Sequence, residues 1–158
     1  MLNVLCAAAM MMAATVGDPS VQVWHFPAGD PIHVFLFDPT TGDRFDINGV
    51  TTPGDWIRRN PDGSFSAAFT VRGEVTFDVA MIPGGPELTG DGRLVYVGDV
   101  EPHDPANPLA GVSFSDERLT IHSDASLQDA AGGPWQLTAH VVVRDGIFLL
   151  FDVDVVPE

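Results

Sequence analysis

From Phe65 to Met81 every large apolar side chain falls on an odd position: Phe65, Phe69, Val71, Val75, Phe77, Val79 and Met81, with Ala67 in the same row. The even positions carry Ser66, Thr70, Arg72, Glu74, Thr76 and Asp78, with small Ala68 and Ala80. A period of two belongs to a strand with one face in the core, because successive side chains of a strand point to opposite sides. After Asp18 no segment has the three-and-four recurrence of an amphipathic helix, and turn pairs punctuate the chain at Thr41-Gly42, Pro53-Gly54, Asp62-Gly63, Asp91-Gly92, Gly132-Gly133 and Asp145-Gly146. Short strands separated by such turns predict an all-β domain, a single antiparallel β-barrel or β-sandwich of about eight or nine strands over residues 18–158.

The expected strands are Val21–Phe26, Ile32–Asp38, Arg44–Val50, Ser64–Arg72, Glu74–Ile82, Arg93–Val100, Arg118–Ser123, Trp135–Arg144 and Ile147–Val156, with a further short strand near Val112–Phe114. The alternation crosses Arg72-Gly73-Glu74 without a phase break. That fits either a hairpin with an odd loop or one long strand bent at Gly73. Two proline-rich stretches, Thr51–Pro61 and Glu101–Pro108, read as loops, since proline has no ladder donor.

The last two strands predict their own pairing. Trp135, Leu137, Ala139, Val141 and Val143 share one face, and Ile147, Leu149, Phe151, Val153 and Val155 share another. A two-residue turn at Asp145-Gly146 would pair Val143 with Phe148 and Ala139 with Asp152, mixing the rows. A three-residue loop, Arg144-Asp145-Gly146, pairs Val143 with Ile147 and keeps the rows together. The opposite face then carries Val142 beside Phe148 and His140 beside Leu150, followed by Thr138 beside Asp152 and Gln136 beside Asp154. The apolar end, Val142, Phe148 and Leu150, is either covered within the domain or an oligomer contact.

Residues Met1 to Gly17 form an uncharged apolar run ended by Asp18-Pro19-Ser20. It is shorter than the roughly 20 residues of a membrane span and suits the hydrophobic part of a secretory signal peptide, with small residues near the expected cleavage point. Met1-Leu2-Asn3 lacks the usual basic residue, and a buried N-terminal helix is the alternative. Leu5 before Cys6 makes a poor lipidation site. Removal of residues 1–17 would leave a secreted domain with neither cysteine nor membrane span.

Charge and cysteine content narrow the function. The chain has 22 acidic and 7 basic residues, a net charge of −15 and one Cys among 158 residues. Such a surface repels phosphate and speaks against a nucleic-acid partner. With one Cys, a disulfide-stapled scaffold is excluded. Nucleophilic catalysis finds no Gly-x-Ser-x-Gly elbow and no triad context for His25, His33, His103, His122 or His140. His25 and His33 lie on neighbouring expected strands, but their spacing matches no metal-ligand motif. Asp38, Asp43 and Asp46 cluster at one turn without the EF-hand pattern. Neither a cofactor nor a metal is expected.

The segments Asp38-Pro39-Thr40-Thr41-Gly42-Asp43, Asn48-Gly49-Val50, Asp62-Gly63-Ser64-Phe65 and Val71-Arg72-Gly73-Glu74-Val75 together resemble a group of small secreted β-proteins of high-GC actinobacteria. The resemblance spans roughly residues 30 to 155. In that group an Asn-Pro-Cys-Thr-Gly-Glu segment often opens the corresponding strand, and here Thr40 takes the Cys position. The resemblance implies an extracytoplasmic barrel or sandwich and carries over no catalytic residue.

Three functions are compatible with these features. In the first, a non-catalytic barrel binds an apolar small molecule among inward residues such as Phe69, Phe77, Leu137 and Phe151, and Trp56 with Arg58 and Arg59 forms the best recognition element outside it. In the second, the domain is an interaction module that self-associates through an edge or through Val142, Phe148 and Leu150. In the third, it is a small-barrel isomerase or cyclase using His140, Asp152 and Tyr96.

Overall fold

The computed structural model describes residues 7–8, 21–37, 42–78 and 87–158. Asp38, Val79 and Met81 lie outside these residues, as do the side chains of Phe148, Leu150 and Phe151. The described chain is all β apart from a short 3-10 helix at Pro108–Ala110. Its strands are β1 (Ala7–Ala8), β2 (Gln22–His25), β3 (Pro31–Phe37), β4 (Arg44–Thr51), β5 (Trp56–Arg59), β6 (Phe65–Asp78), β7 (Glu87–Pro102), β8 (Val112–Gln128), β9 (Pro134–Arg144) and β10 (Ile147–Pro157). No described helix is long and apolar enough to cross a membrane.

All ten strands belong to one antiparallel sheet in the order β1-β3-β4-β6-β7-β8-β9-β10. Among the described residues the path does not close on itself. A branch leaves it at β6, whose first residues, Phe65–Ala68, pair with β5, which in turn pairs with β2. The second half of β6, Val71–Asp78, pairs with β4. This long strand therefore carries two shorter ones end to end along the same side.

The odd row of β6 faces the core as its alternation predicts: Phe65, Ala67, Phe69, Val71, Val75 and Phe77 are all buried. One cluster joins them to Ile32, Val34 and Ile47 on one wing and to Ile121, Leu127 and Leu137 on the other. Val34 is 0% exposed and Leu137 1%. No described α-helix is available to cover this face, so the sheet curls over its own apolar side. Aromatic rings fill the middle. Phe69 stacks on Tyr96 at 5.1 Å between centroids, and Tyr96 stacks on Phe114 at 4.0 Å.

Small residues permit the curl. Gly49, Gly73, Gly92 and Ala125 stand in one cross-strand row from β4 to β8. A Cβ on Gly73 would run into the Asn48 carbonyl, and one on Gly49 into the Arg72 carbonyl. The two backbones cross too closely for any side chain, as at the corner of a barrel. Arg72-Gly73-Glu74 is thus a bend within a single strand, not a turn.

Four expectations need correction. Asp91-Gly92 is not a turn but lies within β7, opposite Glu74 and Gly73 of β6. Trp56–Arg59 is a strand and not part of a loop: Pro53 and Pro61 flank it and leave its four residues free to pair. Val112–Phe114 and Arg118–Ser123 are one 17-residue strand, interrupted by a bulge opposite Asp99. The last hairpin turns on two residues, with Arg144 paired to Ile147 and positive φ at both Asp145 (52°) and Gly146 (71°), the backbone a tight β-hairpin turn needs. The phase problem of that short turn is solved one step later. Val143 pairs with Phe148 and Val142 with Leu150, so Leu149 bulges out. From there Val141 faces Phe151, Ala139 faces Val153 and Leu137 faces Val155. The apolar rows stay together, but each partner is displaced by two residues from the expected one.

Candidate functional site

The displaced register changes what lies on the outer face. His140 now pairs with Asp152, Val142 with Leu150, and Thr138 with Asp154. On the other side His140 pairs with His122, which pairs with Val95. The two imidazoles stack with centroids 3.9 Å apart and planes 24° from parallel. In the next row Arg93 bridges to Asp124 at 3.0 Å. Arg93, Val95, His122, Asp124, His140 and Asp152 line an open groove of about 410 Å³ across β7 to β10. No group of three or more His, Cys, Asp or Glu able to hold a metal occurs among the described residues.

Tyr96 does not join His140 and Asp152. It is on the inner face, fully buried, and its Oη donates to the Asp99 carbonyl at 2.6 Å. Burial, with the Asp99 charge in addition, pushes its phenol far above the ordinary range. The three groups weighed for an isomerase or cyclase thus stand on opposite sides of the sheet.

The other histidines are dispersed. His25 ends β2 opposite Trp56, whereas His33 lies on β3 opposite Asn48 and bonds Asp46 through Nε2. They are not strand neighbours, because β2 joins the sheet through β5 and β3 through β4. His103 is paired with Ser113 at 3.1 Å.

The candidate recognition element at Trp56 is a strand segment held by its own polar contacts. The Arg58 guanidinium lies 5.4 Å from the Trp56 ring centroid, and its Nε donates to Asn60 Oδ1 at 3.0 Å. Arg59 is exposed. The flanking acids are engaged elsewhere. Asp55 is buried and accepts from Thr52 N at 2.7 Å and Thr70 N at 3.0 Å. Asp62 accepts from the Ser64 hydroxyl and amide, which holds its carboxyl below the ordinary value.

Among the inward candidates, Phe69, Phe77 and Leu137 are packed in the core. None of them lines the groove over β7 to β10 or a second open groove beside His33 and Arg72. Val142 is half-buried on the outer face.

The most unusual surface is the end of the sheet. β10 is the terminal strand of the path, eleven residues long, and β9 is its one strand partner among the described residues. Ile147 is 62% exposed, Leu149 63%, Val153 37% and Val156 50%. Away from this strand the exposed large apolar residues among the described ones are Val50 and Val97. In any strand, alternate backbone amides and carbonyls point to each side, so half of those on β10 face away from β9. An edge of this length usually carries lysine, proline or a cover. Here Asp152 and Asp154 alone interrupt the apolar run, and Pro157 stands at its end. The sequence held the apolar row but not its exposure, because the row's position at the end of the path depends on the topology. Compared with protein-family models, curated proteins and solved structures, the chain matches none.

Proposed function

We propose that the chain is a non-catalytic interaction module, acting outside the cytoplasm, that binds by accepting an added strand at β10. The observation that carries this reading is the concentration of exposed apolar residues on an open terminal strand. Strand addition satisfies the outward amides and carbonyls and covers apolar side chains in one step. What supports the extracytoplasmic setting is the uncharged apolar run of residues 1–17. An apolar ligand inside the sheet has less support, because Phe69, Tyr96 and Phe114 fill the interior with one another.

The test is amide hydrogen exchange of the full chain, alone and with blocked seven-residue peptides in which valine alternates with threonine, arginine or glutamate. Slower exchange on β10 with at least one peptide is the expected result. Unchanged exchange on β10 with every peptide at millimolar concentration overturns the reading.

A further inference from the structure

We infer that the strand taken up by β10 comes from a partner protein and alternates apolar residues with arginine or lysine. The inference rests on β10 being the docking edge and specifies its occupant. Along β10, Asp152 and Asp154 are exposed on the outer face, while Val153 and half-buried Val155 belong to the inner row. On the β9 side the two acids face His140 and Thr138, and neither is in an ion pair among the described residues. An incoming strand places one residue directly opposite each of these positions. Opposite charges in such pairs stabilise and like charges destabilise. The residues opposite Asp152 and Asp154 are therefore basic, and those opposite Val153 and Val155 apolar. The groove that Asp152 shares with His122, His140 and the Arg93–Asp124 ion pair lies beside this row, giving a long basic side chain room next to the Asp152 carboxylate.

A second copy of the chain fits this edge poorly. β10 contains no basic residue. A symmetric antiparallel pairing centred on Asp152 sets that carboxylate against its own copy. One centred on Val153 sets each Asp152 against the other copy's Asp154. A net charge of −15 on each copy adds long-range repulsion, and the same field draws in a basic segment.

The experiment uses the full chain and four blocked peptides: alternating Arg-Val, alternating Gln-Val, alternating Glu-Val, and a block peptide with the Arg-Val composition but no alternation. Affinity is read by fluorescence anisotropy and the site by exchange on β10. The Arg-Val peptide is expected to bind about tenfold more tightly than the Gln-Val peptide, as two added charge pairs would give. Asp152→Asn with Asp154→Asn should remove that preference, and both sites are exposed, so the fold is retained. Equal protection by Gln-Val and Arg-Val overturns the basic occupant while leaving strand addition intact. Equal binding by the block peptide shows attraction by charge alone and overturns it too. A dimer in sedimentation whose β10 amides are protected without peptide assigns the edge to a second copy. Failure of every peptide to protect β10 removes the edge reading itself.

Discussion

Tyr96 stacks on Phe114 at 4.0 Å while its hydroxyl donates to the Asp99 carbonyl at 2.6 Å, so the ring is held at both ends. Burial disfavours the phenolate, and the folded protein keeps this proton well above the ordinary value of 10.0. A raised value means that the protonated form is favoured by folding. The contribution is complete below the unfolded value and is lost as pH rises above it. Tyr96 is the one tyrosine of the chain. Phenolate absorbance is therefore expected to rise in a single step that coincides with loss of near-ultraviolet circular dichroism in alkali. A phenolate signal appearing near the ordinary value, with the fold intact, would contradict this placement.

Asp129 organises the turn between β8 and β9. Its carboxylate accepts from Gly133 N at 2.8 Å, Ala131 N at 2.9 Å and Trp135 Nε1 at 3.2 Å, and these bonds lower its pKa. Here the sign is reversed. The stabilisation is present above the unfolded value of 3.8 and disappears as pH falls through the lower folded one. Trp135 fluorescence should therefore change on acidification below the ordinary carboxylate range. In Asp129→Ala the emission at neutral pH should already resemble the acid form, and the change attributable to this turn should vanish.

Several of these relationships were readable from residue order and several were not. The inward rows of β6 and β9 follow from period-two alternation, because a buried face imposes it directly. The position of the last turn was marked by Asp145-Gly146. Its length is not legible in the same way, because one extra residue at Leu149 restores the phase and a bulge has no compositional signature. β5 was hidden because four residues between prolines are too few to show a period. The stacked His122 and His140 could not be inferred, since their meeting depends on the register of β8 against β9 across a turn whose length the residues alone leave open. The exposed edge was invisible for a broader reason: alternation tells which side of a strand is apolar but not which strand ends the sheet.

Asp55 joins local and distant structure. It is 5% exposed, and its carboxylate takes the Thr52 amide and hydroxyl on one side of the loop and the Thr70 amide of β6 on the other. Removing the acceptor leaves partly buried donors without partners, a loss of about 1–3 kcal/mol in Asp55→Ala. Asp55→Asn should recover part of this, since its carbonyl oxygen can still serve Thr70, while its amide nitrogen would confront the Thr52 N–H. Urea unfolding of the two variants is expected to give the order wild type, Asn, Ala. Equal stability of all three would remove Asp55 from this structural role.

The bulge in the last hairpin permits a sharper test of register. Phe148 pairs with Val143 and Leu150 with Val142, while Leu149 has no opposite partner and is 63% exposed. Deleting Leu149 joins Phe148 to Leu150 and leaves every existing pair in place. The ladder becomes regular, and Phe151, Val153 and Val155 still face Val141, Ala139 and Leu137. Stability should change by no more than about 1 kcal/mol, and less apolar surface should be exposed. Deleting Val153 instead forces a choice between losing pairs and turning Asp154 onto the inner row, at a cost of about 2 kcal/mol or more. Thermal unfolding of the two deletions should separate them clearly, with the Leu149 deletion close to wild type. If the three-residue loop pairing Val143 with Ile147 were the native one, Leu149 would sit opposite Val141, and its deletion would be as damaging as that of Val153.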